Sequence, residues 1–426
     1  MDPATMTLII LAIVAFLFVT EIIPLAVTSI GATISLGIFG IIDTKAVFSG
    51  LSDSTVVLFA GMFVVGAAVL ESGLATAIGQ AVVRKVGTNE IPLMVAIMLV
   101  TIIMSAFASN TGTVACLMPV VIGLCAAARL PVSPLLMAMA VAANTGGTIT
   151  MVGTPPNIIA SSSLESASIT PFGFFEYAWI GVPLAVAGII YMVLFGKRLV
   201  PHNMADYGSM DEHGGAAPGQ GATRRKMYIC TAILVFVIYG LCFGYPGISA
   251  DMCAIIGALL CVLSGCLTEK QAYQGIDWVT IFLFAGMLPL AKALDKTGAG
   301  AMIAHEVVGL VGENPSPMFF MVVLFTLSCG MTQFMSNTAA AALLCPIGIS
   351  IANEMGASPY PVIMAIAMAA SCAFTTPVAT PPNTLVMGPG GFRFKDYLIV
   401  GSPLVLASLL VCMLIIPNVW PFFPET

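Results

Sequence analysis

Apolar runs long enough to cross a lipid bilayer recur along the whole chain, and short polar segments interrupt them at matching places in its two halves. A helix needs about 20 apolar residues to span the hydrocarbon core. The pattern predicts five crossings and one re-entrant hairpin in each half. In the first half, the crossings are predicted at 6–22, 25–42, 55–73, a broken 133–164 and 177–196, with the hairpin at 92–128. In the second half, they are predicted at 227–243, 247–266, 278–293, a broken 359–388 and 397–418, with the hairpin at 316–353.

Two polar motifs recur in the same order about half a chain apart. Ser109-Asn110-Thr111 recurs as Ser336-Asn337-Thr338, which lies 227 residues later. Thr154-Pro155-Pro156-Asn157 recurs as Thr380-Pro381-Pro382-Asn383, which lies 226 residues later. Because both order and offset are shared, the motifs indicate an internal duplication. Paired interruptions of apolar segments at corresponding positions are typical of transporter binding sites.

The duplication divides the chain into two repeats, 1–196 and 227–426, joined by a polar linker loop at 197–226. An odd number of crossings in each repeat places the second repeat upside down in the membrane. The predicted fold class is therefore an all-α polytopic membrane protein with two inverted repeats, each with five crossings, one of them broken, and a re-entrant hairpin. Segments 74–90 and 296–313 are less apolar and are expected to be interfacial helices that lead into the hairpins.

Composition supports a membrane protein and excludes other classes. The chain is 59% hydrophobic and 8% charged, whereas soluble domains carry about 25% charged residues. No basic patch suggests a nucleic-acid partner, and the 11 cysteines lie within apolar runs without a CxxC pair, which argues against a disulfide framework. The first apolar run begins near Met6, the expected native start, without the basic leader of a signal peptide. We expect an integral protein of a bacterial inner membrane.

The distribution of Lys and Arg predicts the orientation in the membrane. If the linker loop is cytoplasmic, 11 of these residues lie inside and three lie outside, namely Lys45, Lys292 and Lys296. Both termini then face outward. The first hairpin enters from the cytoplasm and the second from outside, so their tips are expected to meet near the midplane.

The hairpin tips and broken crossings offer groups that suit ions. At each tip one half-helix ends in free carbonyl groups, which suit a cation such as sodium, and the next begins with free N–H groups and a partial positive charge, which suit an anion. A double proline likewise ends a helix and frees the carbonyls before it. Taken singly, each motif also occurs as a cap or a structural kink, but their paired recurrence favours a binding site. Asn144, Thr145 and Ser371 precede the double prolines and are expected to satisfy buried polar groups.

No Lys or Arg lies within about ten residues of either Ser-Asn-Thr triplet. In a low-dielectric setting, helix ends alone leave a dianion poorly neutralised. If the solute is a dianion, bound cations are its natural complement, which favours cation coupling.

At these motifs the chain resembles the divalent anion/sodium symporter family, which carries di- and tricarboxylates and has sulfate carriers as relatives. Members have two Ser-Asn-Thr motifs on opposed hairpins and two Thr-Pro breaks in the following helices. All four are present here, and the resemblance covers nearly the whole chain. It implies a homodimer with an elevator mechanism, in which the hairpins, the broken crossings and segments 177–196 and 397–418 slide past a fixed scaffold.

The resemblance also implies two sodium sites and no organic cofactor. The first would use Ser105, Asn110 and the backbone near Gly153. The second would use Thr332, Asn337 and the backbone near Ala379. A small dianionic substrate would meet residues of both repeats: Ser109, Asn110, Thr111, Thr154, Ser336, Asn337, Thr338, Thr380 and Pro381.

The sequence therefore predicts a secondary active transporter of small divalent anions, with sodium-coupled C4-dicarboxylates such as succinate, malate or fumarate as first choice. A sulfate or tricarboxylate carrier and a sodium-independent exchanger stay open as alternatives. An ion channel fits opposed hairpins less well than alternating access does. An intramembrane enzyme lacks support, because the spans carry no cluster of His, Asp and Glu and no pair of nucleophile and base. No enzymatic activity is expected.

Overall fold

The computed structural model of the chain describes residues 2–20, 22–73, 77, 89–203, 224–311 and 316–424. These ranges are almost entirely helical and contain no β-strand. The helices of the first half are α1 Pro3–Thr20, α2 Leu25–Ile38, α3 Ser54–Glu71, α4 Glu90–Ser105, α5 Asn110–Ala128, α6 Val132–Gly147, α7 Pro155–Ser166 and α8 Ala178–Leu199. Those of the second half are α9 Arg224–Phe243, α10 Ala250–Leu263, α11 Glu269–Gly275, α12 Trp278–Thr297, α13 Ala299–Val311, α14 Pro317–Met331, α15 Asn337–Glu354, α16 Tyr360–Ser371, α17 Pro381–Gly390 and α18 Phe394–Val419.

Six helices within these ranges are long and apolar enough to cross a membrane by length and composition, namely α1, α3, α8, α9, α12 and α18. This confirms the predicted all-α polytopic membrane fold. The predicted hairpins appear as the helix pairs α4–α5 and α14–α15, and the predicted broken crossings as α6–α7 and α16–α17. Segment 296–313 contains α13, whereas most of 74–90 and of the linker loop lies outside the described residues.

Two crossings are shorter than the sequence predicted. The predictions were 25–42 and 247–266, but α2 and α10 have 14 residues each, a length of about 21 Å. Gly40 and Gly265 follow them with φ of 70° and 73°, and a left-handed glycine is a common helix terminator. The chain then continues into a 3₁₀ helix, Ser49–Ser52, after α2 and into α11 after α10.

Equivalent helices of the two halves each pack against a helix of the other half: α3 packs on α10, and α12 packs on α2. Small residues permit this approach: a Cβ added to Gly61 would lie 2.7 Å from the Ala254 backbone, and one added to Gly286 would lie 2.4 Å from the Ser29 backbone. The rings of the corresponding residues Phe59 and Phe284 touch, with centroids 5.5 Å apart.

A second group of helices surrounds the tips and breaks. In this group α4 packs on α6 and α14 on α16, while α5 packs on α17 and α15 on α7. Every residue of α6 is buried, as are residues 361–371 of α16. The breaks that follow these helices are themselves mostly buried, apart from Val378 in the second break, and their buried backbone groups need partners.

Candidate functional site

Four short connections make up the candidate site: the first tip (residues 106–109), the second tip (332–336), the first break (148–154) and the second break (372–380). Ser109 and Ser336 end the two tips with nearly the same backbone, at φ −58° and ψ 133° and at φ −56° and ψ 134°. Their hydroxyl oxygens accept from the N–H groups of Gly112 at 3.4 Å and Ala339 at 3.5 Å. Each serine is thus the N-cap of the second half-helix of its hairpin.

Oxygen atoms from three helical elements meet beside the first tip. The Ser105 hydroxyl donates to the carbonyl oxygen of Ala143 at 2.8 Å and also contacts the side-chain amide of Asn110. With its nitrogen turned inward, the Asn110 amide donates to the carbonyl oxygens of Gly153 at 3.2 Å and Ala143 at 3.1 Å. With the side-chain oxygen of Asn110 turned inward instead, that oxygen faces only acceptor groups. In that orientation the cluster is an all-oxygen set of the kind that hard cations bind.

The second tip repeats this arrangement. The Thr332 hydroxyl donates to the carbonyl oxygen of Ala370 at 2.8 Å and contacts the side-chain oxygen of Asn337. A hydroxyl has one proton to donate, so Thr332 cannot satisfy both acceptors, and a cation would complete the set. Ser105 and Thr332 are both fully buried. Within the described ranges no cluster of His, Cys, Asp and Glu could hold a metal ion.

The two breaks are shaped by equivalent asparagine side chains. The Asn157 amide donates to the carbonyl oxygen of Thr150 at 2.9 Å, and the Asn383 amide donates to that of Thr376 at 3.0 Å. The Tyr397 hydroxyl in turn donates to the backbone oxygen of Asn383 at 2.6 Å, as Tyr177 does for Asn157 at 2.5 Å. Each asparagine side chain therefore bonds to the backbone of its own break, and the hydroxyl of a buried tyrosine bonds to the backbone oxygen of the asparagine.

One threonine connects each break to the tip of the same repeat. Thr150 donates to the carbonyl oxygen of Ala106, and Thr376 donates to that of Gln333 at 2.8 Å. The same hydroxyls accept from the N–H groups of Gly153 at 3.2 Å and Ala379 at 3.1 Å. Tip and break therefore form one unit in each repeat.

The electrostatics of the site come from backbone rather than from charged side chains. Four helices, α5, α7, α15 and α17, begin at the tips and breaks, and each N-terminus carries about half a positive charge. Between Ser105 and Ser163 the sole charged residue is Arg129, at the opposite end of α5 and about 28 Å from Asn110 by helical rise. Between Thr332 and Phe392 it is Glu354, at the far end of α15.

A cavity of about 220 Å³ lies against the first tip. Ser109 and Gly112 line it on one side, and α3 and Gly275 line it on the other. Most of the lining is apolar and includes Phe59 and Phe63 of α3 and Phe107 of the first tip. The first tip therefore faces open space between the two groups of helices.

The chain matches the family described as CitMHS: Citrate transporter over residues 15–343 and 248–425. The chain belongs to the citrate transporter family. A Haemophilus influenzae protein described as an uncharacterized transporter is 28% identical to it over 433 residues, which cover 95% of this chain and 89% of that protein. The sodium-dependent dicarboxylate transporter SdcS of Staphylococcus saprophyticus is 25% identical over 448 residues, covering 97% and 86%. These relatives confirm the predicted membership among divalent anion/sodium symporters.

The fold is shared with a solved transporter. The crystal structure of the Alcanivorax borkumensis YdaH transporter matches with a TM-score of 0.66 over 89% of each chain, at 14% identity. This citrate transporter family member is thus an integral membrane protein, and its bacterial relatives indicate the inner membrane.

In this member of the citrate transporter family, the structure brings together several of the predicted site residues. Ser105, Asn110 and Gly153 meet at the first tip, and Thr332 meets Asn337 at the second. Others lie at or next to the tips and breaks without such bonds: within the described ranges, the side chains of Thr111, Thr154 and Thr338 make no hydrogen bond to another predicted residue. Ala379 contacts Thr376 through its N–H group, and Pro381 is exposed at the start of α17.

Several residues of the site were not predicted from the sequence. The carbonyl groups of Ala143 and Ala370 are invisible in a residue pattern. Thr150 and Thr376 could have been found, because they precede Thr154 and Thr380 by four residues and so belong to the same duplication. Asn144 was expected to satisfy buried polar groups, and its amide donates to Thr380 at 3.4 Å and Asn383 at 3.2 Å.

Proposed function

We propose that this chain is a sodium-coupled secondary transporter of small dianions, with C4-dicarboxylates as its first-choice substrates. The observation that carries the proposal is the proton shortage at the second tip, where Thr332 has one hydroxyl proton for two oxygen acceptors. Ser105 at the first tip has the same shortage when the side-chain oxygen of Asn110 is turned inward. Both hydroxyls lie beside helix N-termini and away from charged side chains.

Sodium ions would relieve this shortage. The first ion would be held by the side chains of Ser105 and Asn110 and by the carbonyl oxygens of Ala143 and Gly153. The second would be held by Thr332 and Asn337 with the backbone of Ala370 and Ala379. Carbonyl groups at helix C-termini and unwound segments are the usual sodium ligands of transporters with broken helices.

A dianion would bind between the two ions. Helix N-termini supply N–H donors and partial positive charge, and the sodium ions supply the charge that side chains do not. Its predicted ligands are the two Ser-Asn-Thr triplets, Ser109-Asn110-Thr111 and Ser336-Asn337-Thr338, flanked by Thr154, Thr380 and Pro381. The exposed hydroxyl of Ser109 on the cavity gives the substrate a first contact.

The relative named a sodium-dependent dicarboxylate transporter supports a dicarboxylate as substrate. The family match to citrate transporters supports citrate as the second candidate. Sulfate transport and sodium-independent exchange remain the alternatives against which the proposal is tested.

Transport by an elevator mechanism is part of the proposal, with residues 1–196 and 227–426 as inverted repeats and a homodimeric scaffold. The moving part would be the hairpins, the broken crossings, α8 and α18. Where α7 meets α12, the boundary is lined mainly by apolar side chains such as Ile159, Leu283 and Met287. Such surfaces can slide because dispersion contacts are non-directional.

The test is uptake of labelled succinate by the purified protein in proteoliposomes, with an inward sodium gradient and with choline in its place. Sodium-dependent uptake that unlabelled malate and fumarate inhibit supports the proposal. Equal counterflow in choline and in sodium overturns the coupling and favours exchange. Inhibition by citrate or sulfate, without inhibition by dicarboxylates, overturns the substrate assignment.

A further inference from the structure

A hydrogen bond crosses from the first repeat to the second break. Asn144 lies in the last turn of α6, and its amide nitrogen donates to the side-chain oxygen of Asn383 at 3.2 Å. The same nitrogen lies 3.4 Å from the hydroxyl of Thr380. Asn144 and Asn383 are almost completely buried, at 1% and 3% exposure. This contact therefore cannot be exchanged for one with bulk water.

The bond fixes the orientation of Asn383. The nitrogen of Asn383 donates to the carbonyl oxygens of Ala373 at 2.9 Å and Thr376 at 3.0 Å, both within the second break. With both of its hydrogens used, the amide presents its oxygen to Asn144 and needs a donor there. Because Thr380 accepts a bond from Asn144, its own proton stays available for an anion.

The first break has no reciprocal bond. Asn157 is the equivalent of Asn383, and its side-chain oxygen is buried without a hydrogen-bond partner among the described residues. The residue equivalent to Asn144 is Ser371, which lies 227 residues later. Its hydroxyl donates within its own helix, to Ala367 at 3.2 Å. The helices still pack alike, α16 on α7 as α6 on α17, so the difference comes from the residue type.

The second tip has a further side chain without a counterpart. The amide nitrogen of Gln333 donates to the carbonyl oxygen of Cys372 at 3.2 Å, and its oxygen accepts from the N–H of Thr375 at 3.1 Å and from its hydroxyl at 2.6 Å. The corresponding residue in the first repeat is Ala106. The side chains of Asn144 and Gln333 thus both hydrogen-bond to the second break, whereas Ser371 and Ala106 at the equivalent positions offer the first break no amide.

We propose that Asn144 is a positioning residue for the second sodium site. From the first repeat it holds the second break in its ion-binding shape before sodium arrives, whereas the first break, in which the side-chain oxygen of Asn157 has no partner among the described residues, acquires its shape on binding. A preorganised site binds more tightly because less ordering opposes binding. This inference rests on the sodium coupling proposed above and adds that the two ion sites are unequal.

The test compares the sodium activation of succinate uptake in proteoliposomes for the wild type, Asn144→Ser, Asn144→Leu and Ser371→Ala. Serine is the residue found at the equivalent position, and leucine keeps a similar shape without the donor. Both Asn144 variants are expected to raise the half-activating sodium concentration about tenfold, the effect of losing about one hydrogen bond, with little loss of maximal rate at saturating sodium. Ser371→Ala removes a buried hydroxyl at the matched position and should leave the activation curve unchanged.

A merely structural role for Asn144 would lower the amount of folded protein and the maximal rate without moving the half-activating concentration. An unmoved activation curve in Asn144→Leu overturns the inference, and so does an equal shift in Ser371→Ala. Sodium-independent uptake by the wild type overturns the proposed coupling and this inference together. A sodium-dependent wild type with unmoved Asn144 variants overturns this inference alone. Elution and melting of each purified variant confirm that it is folded.

Discussion

Ser105 donates its hydroxyl proton to the carbonyl oxygen of Ala143 at 2.8 Å, and Asn110 contacts both residues. The first half of a hairpin, its second half and a broken crossing therefore converge on one point. Thr332 and Ala370 form the same pair in the second repeat. A site built in this way depends on backbone position as much as on side chains, and the predictions below test both.

Replacing either tip asparagine should abolish sodium-driven uptake while the protein stays folded. Asn110→Ala and Asn337→Ala each remove a side chain that is predicted to bind both sodium and substrate. A hydrogen bond to a charged group contributes about 1.5–3 kcal/mol. We expect succinate uptake to fall at least tenfold in proteoliposomes. Asn353→Ala serves as the control, because Asn353 is exposed in the last turn of α15. Normal transport by either tip variant would refute the site assignment.

A methyl group at Gly147 should disturb the first ion site through the backbone. A Cβ there would lie 2.6 Å from the side-chain oxygen of Asn110 and 2.9 Å from the carbonyl oxygen of Gly153. Gly147→Ala is therefore expected to push both candidate ligands away and to raise the half-activating sodium concentration at least tenfold.

Gly123→Ala is the matched control for that substitution. A Cβ at Gly123, in the C-terminal half of α5, would meet no atom within 4 Å, and alanine favours a helix by about 0.5–1 kcal/mol over glycine. Uptake should be unchanged and the melting temperature unchanged or higher. Equal sodium activation in the two glycine variants would show that the close approach at Gly147 has no role in ion binding.

Transport should depend on pH through the substrate rather than through the protein. The segments that form the site, 105–163 and 332–392, carry just Arg129 and Glu354 as charged residues and no histidine. At a fixed concentration of the dianion, we expect uptake to stay nearly constant between about pH 6 and pH 8, the range in which a histidine would titrate. At a fixed total concentration, uptake should fall as acid protonates the substrate. A steep pH profile at constant dianion would indicate a titrating protein group.

Labelling of introduced cysteines should establish the orientation. Helix α8 has 22 residues, about 33 Å, and can span the hydrocarbon core of about 30 Å. Ser168 precedes it and His202 follows it, and both are exposed. On a cysteine-free background, an impermeant maleimide applied to intact cells should modify Ser168→Cys and spare His202→Cys until the cells are opened. The reverse pattern would overturn the predicted orientation, and equal labelling would overturn the predicted crossing of this segment.

The duplicated motifs allowed both tips and both breaks to be located from the sequence, because polar, helix-breaking residues stand out in apolar surroundings. The resemblance pointed to Ser105, Asn110 and Gly153, which meet in the structure. The shorter α2 could have been predicted from Gly40, since a glycine after an apolar run is a common helix end.

Other features depend on which helices pack together. Every residue has a carbonyl oxygen, so the role of Ala143 follows only from the packing of α4 on α6. Asn144 and Ser371 looked alike in the sequence, since both precede a double proline. Only the packing of α6 on α17 reveals that Asn144 has an asparagine partner in the other repeat, whereas Ser371 bonds within its own helix.

Ala143 and Asn144 are neighbours in the chain, yet they serve opposite halves of the site. The carbonyl group of Ala143 belongs to the first tip, and the side chain of Asn144 holds the second break. Thermodynamic linkage makes such a connection reciprocal: whatever one half gains in affinity when the other is filled, the other gains in return. In the proposed sodium-coupled mechanism, one shared helical turn would therefore discourage partial loading, and with it a leak of sodium that would dissipate the gradient without carrying substrate.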